Sequence, residues 1–322
     1  MLRHKNILIA PLDWGLGHAA RLVPVIKRLI AEGDNVILGG SGESLELLKS
    51  EFPELQSVLL PSFKIHYSSG NSQVWAMLRQ IPEIITASVR EHRAIKRIVL
   101  QYGIDKVISD NRFGLYGSGV ESIYITHQIM VKAPRWLKWL EPLGYRLHRR
   151  IIERYNECWV PDYADTERSL AGDLTHSYPL PCNARFIGPL SRFEKLKDCC
   201  KPIDCDVLAI MSGVEPHRTI YEKSIAERYR DSSLKVILVR GKAFTKDGGD
   251  INYGNIDVKG VLSASELLPY ILGAKKIICR SGYTSVMDMH ILGKTNVEWS
   301  ATPGQTEQEY LLSKLSLLKN SL

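Results

Sequence analysis

The sequence predicts an α/β protein of two Rossmann-like domains, each built on a parallel sheet. Three observations carry that prediction. Short apolar runs alternate with longer segments of helical period, the alternation lapses in a polar stretch and then restarts, and glycine-bearing loops follow several of the runs. Strands covered by helices on both faces read as near-continuous apolar runs, and strict alternation with helices makes the sheet parallel. A chain of 322 residues is also the length of two ordinary domains.

The first strand runs from Asn6 to Ala10, followed by a glycine-containing loop to His18 and a helix from about Ala19 to Ala31 that stops at Gly33. Asn35 to Leu38 and Gln56 to Leu60 read as the next strands, and Val74 to Gln101 as a long helix. Lys106 to Ser109 and Ser122 to Thr126 are two more short buried strands. Pro134 to Tyr155 is helical, broken by Pro142 and Gly144, and Glu157 to Pro161 is again a strand. Lys195 to Asp206 is polar, cysteine-rich and without period, so the boundary is placed near Pro189, giving domains of residues 1–189 and 190–322. The strands then resume at Val207 to Met211, Lys235 to Val239, Ile256 to Val258, Lys276 to Cys279 and Thr295 to Trp299, with a last helix at Gln305 to Leu318.

Composition excludes several classes. The chain is 44% hydrophobic and 24% charged, which supports packed cores rather than disorder. No apolar run approaches the length of a membrane span, and the apolar N-terminal stretch ends too early for a signal peptide, so a cytoplasmic setting is expected. The six cysteines, Cys158, Cys182, Cys199, Cys200, Cys205 and Cys279, form no C-x-x-C pair and are read as free thiols. The net charge of +7 suits anionic partners, but no nucleic-acid-binding motif accompanies it and no nucleic-acid role is expected.

In open parallel sheets ligands bind beyond the carboxyl ends of the strands, so the loops there are where chemistry is sought. The first is D-W-G-L-G-H-A-A-R, Asp13 to Arg21. Gly15 and Gly17 allow a tight turn, the helix start favours an anion, and His18 titrates near neutrality and is a candidate base. A glycine turn with a capping histidine is the plainer reading. In S-D-N-R-F-G, Asp110 is placed to pair with His18 and raise its basicity, or simply to cap a helix. Thr126, His127 and Gln128 after the next strand suit an acceptor site or a polar turn. In the second domain, Ser212 and Gly213 can present N–H groups to phosphates, with Arg240 after the following strand in a similar role.

The densest signal is C-R-S-G-Y-T-S-V-M-D from Cys279 to Asp288, followed by W-S-A-T-P-G-Q-T-E-Q-E-Y from Trp299 to Tyr310. Arg280, Ser281, Gly282 and Thr284 stand where a strand ends and a helix begins, a seat for a diphosphate. Asp288 lies within that helix and can accept hydrogen bonds from ribose hydroxyls. Gln305, Glu307 and Gln308 open the last helix and can bond sugar hydroxyls.

Ser281 to Leu312 resembles the donor-binding segment of glycosyltransferase family 28, which includes the N-acetylglucosaminyltransferase of lipid-linked peptidoglycan precursor synthesis. The family has a serine–glycine pair at a helix start, a glutamate within that helix and two glutamines opening the next. Here these fall on Ser281-Gly282, on the shorter Asp288, and on Glu307 and Gln308, of which only the second keeps its residue type. The family's glycine loop ending in Gly-His matches Gly17-His18, and Thr126 to Gln128 matches its acceptor region in part.

The resemblance implies a GT-B fold with two sheets facing an interdomain cleft, a UDP-type nucleotide-sugar donor, and inversion at the anomeric carbon. It assigns Asp288 to the ribose and Glu307 and Gln308 to the sugar, a hexose such as N-acetylglucosamine. His18 and Asp110 are the catalytic pair; Asp13, Gly15, Gly17, Arg21, His127 and Gln128 form the acceptor side. Neither cofactor nor metal is expected, because the resemblance implies that helix N-termini and basic side chains stabilise the leaving diphosphate in place of a metal.

The form G-L-G-H-x-x-R, with Arg21, also resembles a nucleotide-sugar hydrolase. A hydrolase or epimerase on the same fold, or an inactive binding subunit, is therefore the alternative. The Lys132 to Tyr155 segment carries seven Lys/Arg, two Glu and two tryptophans. It suits peripheral contact with an anionic bilayer, and so a lipid-linked acceptor, or an ordinary amphipathic helix with Trp136 and Trp139 in the core.

Overall fold

The computed structural model describes residues 4–62, 73–117, 119–194, 196, 200–213, 215–242 and 252–320. Two compact units divide the chain, one reaching to Leu190 and the other running from Ser191 onward, with Gly15–Gly17 grouped with the second.

The first unit contains β1 (Asn6–Pro11), α1 (Leu16–Ala31), β2 (Asn35–Gly40), α2 (Gly42–Glu51), β3 (Ser57–Leu59), α3 (Gln73–Tyr102) and β4 (Lys106–Asp110). It continues with β5 (Glu121–Ile125), a 3₁₀ helix (Arg135–Leu140), α4 (Glu141–Ile152), β6 (Glu157–Val160), the single turn α5 (Asp173–His176) and β7 (Ala184–Phe186). Its seven strands are all parallel, in the order β3-β2-β1-β4-β5-β6-β7. The central runs Ile7–Ala10 and Val36–Leu38 are buried on both faces, which is why they lack alternation.

The second unit has β8 (Cys205–Ile210), α6 (His217–Tyr229), β9 (Val236–Val239), β10 (Asp257–Lys259), α7 (Ala264–Gly273), β11 (Ala274–Arg280), α8 (Tyr283–Ile291), β12 (Val297–Ser300) and α9 (Thr306–Asn320). Its five strands are parallel in the order β10-β9-β8-β11-β12. α7 begins with a capping box in which Ser263 and Glu266 satisfy each other's backbone N–H groups.

In each sheet the strand order reverses direction once, between β1 and β4 and between β8 and β11. At such a switch point the loops from the two strands diverge to opposite faces and leave a crevice at their carboxyl ends. His18 follows β1, and Asp110 ends β4. Ser212 and Gly213 follow β8, and Ser281 and Gly282 follow β11. The strand order therefore gathers most of the sequence-selected loops at two switch points.

Two elements have no counterpart in the sequence reading, the helix α2 and the strand β7. The Pro134–Tyr155 segment is in two pieces, the 3₁₀ helix and α4; Pro142 sits in the first turn of α4, where its missing N–H costs nothing, and Gly144 lies inside that helix. Cys158, Cys182, Cys200, Cys205 and Cys279 are free thiols, and Cys199 lies outside the described residues. No helix among the described residues is long and apolar enough to cross a membrane.

Candidate active site

In the first unit four polar side chains meet at the β1/β4 switch point. Asp110 is fully buried, and its carboxylate takes Nε and Nη2 of Arg21 in a fork-to-fork pair. His18 Nδ1 lies 2.7 Å from Asp110 Oδ1, and Arg21 Nη1 lies 3.0 Å from His127 Nδ1. Arg21 and His127 are buried, while the His18 side chain is 17% exposed, so of the three His18 is the one that reaches solvent.

The geometry fixes the protons. An ionised carboxylate oxygen only accepts, so the hydrogen between it and His18 sits on Nδ1 and Nε2 of the neutral ring is left with a lone pair. Arg21 Nη2 is 2.9 Å from the same Nδ1, but both are donors, and its hydrogen goes to Asp110 Oδ1. At His127 the logic reverses. Arg21 only donates, so Nδ1 of a neutral His127 accepts and Nε2 carries the hydrogen. One guanidinium thus leaves His18 able to take a proton at Nε2 and His127 able to give a hydrogen bond there.

Burial lowers the His18 pKa, Asp110 opposes this, and Arg21 lowers it further; the net direction is down. Sequence reasoning expected pairing with Asp110 to raise the basicity. The difference is desolvation together with Arg21, which occupies both oxygens of the same carboxylate. Burial alone would raise Asp110, but Arg21, His18 and their hydrogen bonds hold it below the usual carboxylate range.

The other acceptor-side residues have varied local roles. Asp13 accepts from Ser41 Oγ and the Ser44 backbone N–H, each at 3.3 Å, and so anchors the start of α2; burial raises its pKa against those bonds. A Cβ at Gly42 would lie 2.3 Å from its carboxylate, and Gly42 has φ +56°, so glycine is required there. Gly15 turns the β1–α1 loop with φ +111°, and Gly17 lies in the first turn of α1. The Gln128 N–H donates to Thr126 Oγ1 at 3.2 Å.

In the second unit Arg280 ends β11 and is buried, donating to Thr302 Oγ1 at 2.8 Å and to the His217 carbonyl at 3.1 Å. Its guanidinium carbon lies 4.4 Å from the centre of the Tyr221 ring, and its Nε has no hydrogen-bond partner among the described residues. Ser281 Oγ donates to the Gln308 carbonyl at 2.8 Å and its backbone N–H donates to the Ser300 carbonyl at 2.8 Å, which ties the end of β11 to α9 and β12. Gln308 Oε1 accepts from the Thr302 N–H at 2.9 Å, and its Nε2 donates to Gln305, so the amide braces the Thr302–Gln305 turn. Gly282 is the N-cap of α8, and a Cβ there would meet nothing within 4 Å, as at Gly213 with φ +96°. Thr284 is half-buried in the first turn of α8, and Glu307 is half-buried in that of α9.

Asp288 is buried in α8 and accepts from Ser191 Oγ at 2.6 Å. Burial pushes its pKa up to about 6 against the lowering effects of Arg192 and that hydrogen bond. Ser212 is half-buried at the end of β8. Arg240 ends in an ion pair with the fully buried Glu222 at 2.6 Å, and Tyr253 donates to the same carboxylate. Among the described residues no group of three or more His, Cys, Asp and Glu is placed to hold a metal ion.

No family model matches the chain. A relative in Methanosarcina acetivorans named "Uncharacterized glycosyltransferase" is 20% identical over 325 aligned positions, covering 94% of this chain and 81% of its own. Among solved structures, the glycotransferase of kitacinnamycin superposes with TM-score 0.61 at 15% identity, over 98% of this chain and 85% of that one. Arabidopsis thaliana UGT89C1, solved with UDP-L-rhamnose, gives 0.56 at 15% identity over 99% and 84%. These proteins are glycosyltransferases, and the two parallel-sheet units match their architecture.

The fold is GT-B.

Within this GT-B chain, sequence reasoning missed a further buried ion pair, Arg112 with Glu91. Arg112 donates to Glu91 Oε1 at 2.9 Å, to the Pro11 carbonyl at 3.0 Å and to the Pro61 carbonyl, while Glu91 Oε2 accepts from the Gly114 N–H at 3.1 Å. Burial raises the Glu91 pKa, opposed by Arg112. The pair binds α3 to the ends of β1 and β4 and so holds the loops that carry His18 and Asp110. The signal was present as the arginine of S-D-N-R-F-G, but its partner lies 21 residues upstream, in the middle of a long helix.

Proposed function

We propose that the chain is a glycosyltransferase that moves a hexose from a UDP-type nucleotide-sugar to an acceptor hydroxyl, by single displacement with inversion. The acceptor hydroxyl belongs to a glycan or a lipid-linked sugar. The observation that carries the reading is the His18–Asp110 pair at a GT-B switch point, with Nε2 of His18 bearing the lone pair.

In this reading His18 Nε2 takes the proton of the acceptor hydroxyl as its oxygen bonds to the anomeric carbon. The bond from that carbon to the diphosphate oxygen breaks, and a nucleoside diphosphate leaves. Asp110 holds the imidazole in the Nδ1–H form and stabilises the imidazolium that results. Because the His18 pKa is lowered, the ring is neutral and competent at pH 7. Arg21 positions Asp110 and turns the Nε2–H of His127 into a donor for the acceptor, beside Gln128.

The donor residues lie on the second unit. The start of α8 at Gly282 and Thr284, with Ser212 and Gly213 after β8, receives the diphosphate, and Arg280 supplies positive charge, so that no metal is needed. The oxygens of Asp288 accept from the ribose, and Gln305, Glu307 and Gln308 line the sugar side. The neighbour solved with UDP-L-rhamnose and the donor-segment resemblance support a UDP-type donor.

The test is a thermal-shift panel of nucleotide-sugars followed by turnover with and without acceptor. His18→Ala should lower turnover by about 10²–10⁴ while leaving donor affinity unchanged. Unchanged turnover removes His18 from the mechanism. Rapid sugar release without any acceptor would replace transfer by hydrolysis.

A further inference from the structure

We propose that the face formed by the 3₁₀ helix Arg135–Leu140 and α4 docks the chain on an anionic phospholipid bilayer. The sequence left two fates open for Trp136 and Trp139, and the structure puts both outside. Trp136 is 59% exposed and Trp139 is 74% exposed, with Leu143 and Leu147 each more than half exposed. Trp136 and Trp139 are one turn apart in the 3₁₀ helix and Leu143 and Leu147 about one turn apart in α4, so each pair shares an outward face of its helix, and together they make the stripe.

α4 already buries a different face. Glu141, Tyr145, His148 and Ile152 point inward, with the Tyr145 hydroxyl donating to the Pro179 carbonyl at 2.8 Å and Glu141 accepting from the Ala133 N–H at 3.1 Å. The outer stripe is therefore not a misplaced core face but a second apolar surface. Exposed tryptophans in a row are costly in water and belong at the interface of a bilayer, where the ring is half immersed.

Charge chooses the lipid. Lys138, Arg146 and Arg150 are exposed beside the stripe, and none has an acidic partner among the described residues. The neighbouring cations are paired, Lys132 with Asp173 and Arg149 with Glu153, each at 2.6 Å. Glu141 is buried and Glu153 is occupied, so among the described residues of these two helices the unpaired charges beside the stripe are positive. Tryptophans and leucines with flanking Lys and Arg on one helix face match an anionic headgroup layer over acyl chains.

The inference stands on these surface observations and outlives a failure of the transferase reading. If that reading holds, it favours an acceptor presented at a membrane. The experiment is flotation of the full chain with vesicles of phosphatidylcholine alone and with equal parts phosphatidylglycerol, at low and high salt. The protein should float with the anionic vesicles only and be released by salt. Lys138→Ser, Arg146→Ser and Arg150→Ser together should weaken binding about a hundredfold at low salt. Trp136→Ser with Trp139→Ser should weaken it more than about tenfold without changing the melting temperature, because both rings are exposed. Brominated lipid should quench wild-type fluorescence and not that of the double variant. Three results would overturn the inference: equal binding to neutral vesicles, no loss in the double variant, or a wild-type dimer that the double variant dissolves, which would make the stripe a contact between copies.

Discussion

Replacing Asp110 by Asn leaves shape almost unchanged and removes one buried charge. Arg21 is 1% exposed and loses an ionised partner on both its Nε and Nη2 sides. Removing one member of a buried ion pair costs about 3–5 kcal/mol. The Asn carbonyl still accepts one of the two hydrogens, which places the loss near the lower end, about 3 kcal/mol. For a unit of this size that lowers Tm by about 6–12 °C. The amide also has a direction. If its oxygen faces Arg21, its NH₂ faces His18 Nδ1, which must then accept, so the ring hydrogen moves to Nε2 and the base is lost. Turnover should fall by about 10²–10⁴ through the tautomer. Differential scanning calorimetry reads the first effect, and long-range ¹H–¹⁵N correlation of the imidazole reads the second. A Tm within about a degree of wild type, with His18 still protonated at Nδ1, would refute the reasoning about Arg21 and Asp110 together.

In the second unit Asp288→Asn should be stabilising at pH 8. The folded pKa of about 6 lies above the ordinary 3.8, so the folded state binds the proton more tightly, and the charged form costs up to about 3 kcal/mol above pH 6. Stability from this group rises as pH falls from above 6 toward 4, and the advantage of the Asn variant should shrink over the same window in thermal melts. An advantage that does not change with pH would deny the burial of the charge. For the pair that holds the loops, Glu91→Leu and Arg112→Met should each cost about 3–5 kcal/mol in urea unfolding. The double variant should recover much of the loss, and strict additivity would show that the two charges do not interact.

Much of the fold is legible in the sequence because each strand is announced locally. Ile7 to Ala10 and Ile277 to Cys279 are uninterrupted apolar runs with loops after them, and burial on both faces requires that pattern. α2 was not legible. Its sequence G-E-S-L-E-L-L-K-S-E follows a pair of glycines and buries only a narrow stripe, Leu45, Leu47 and Leu48 with Ser44, and its start depends on Asp13 from a distant loop. Trp136 and Trp139 show the same limit, since composition cannot say which side of a helix faces the protein. The residues His18 and Asp110 could be selected singly from their loops. Their meeting rests on β4 lying beside β1, a pairing across 92 positions that no local pattern encodes. For Arg21, which the sequence suggests for the acceptor side, the structure adds contacts that no local pattern encodes, to Asp110 and to His127.

The two buried aspartates, Asp110 at the end of β4 and Asp288 within α8, show why burial alone does not decide whether a carboxyl is ionised. Asp110 is fully buried and yet stays ionised, because a forked guanidinium and an imidazole N–H supply more than desolvation removes. Asp288 is almost as deeply buried and has one hydroxyl donor with a nearby arginine, which is too little, so its carboxyl titrates near 6. The first is a charge already satisfied, fit to hold a catalytic ring in one tautomer and unsuited to receiving a ligand. The second is a carboxyl short of donors, and a pair of ligand hydroxyls would supply what it lacks. Whether each carboxyl stays ionised is thus set by how many N–H and O–H groups the fold has already spent on it, and the proposed roles follow from that difference.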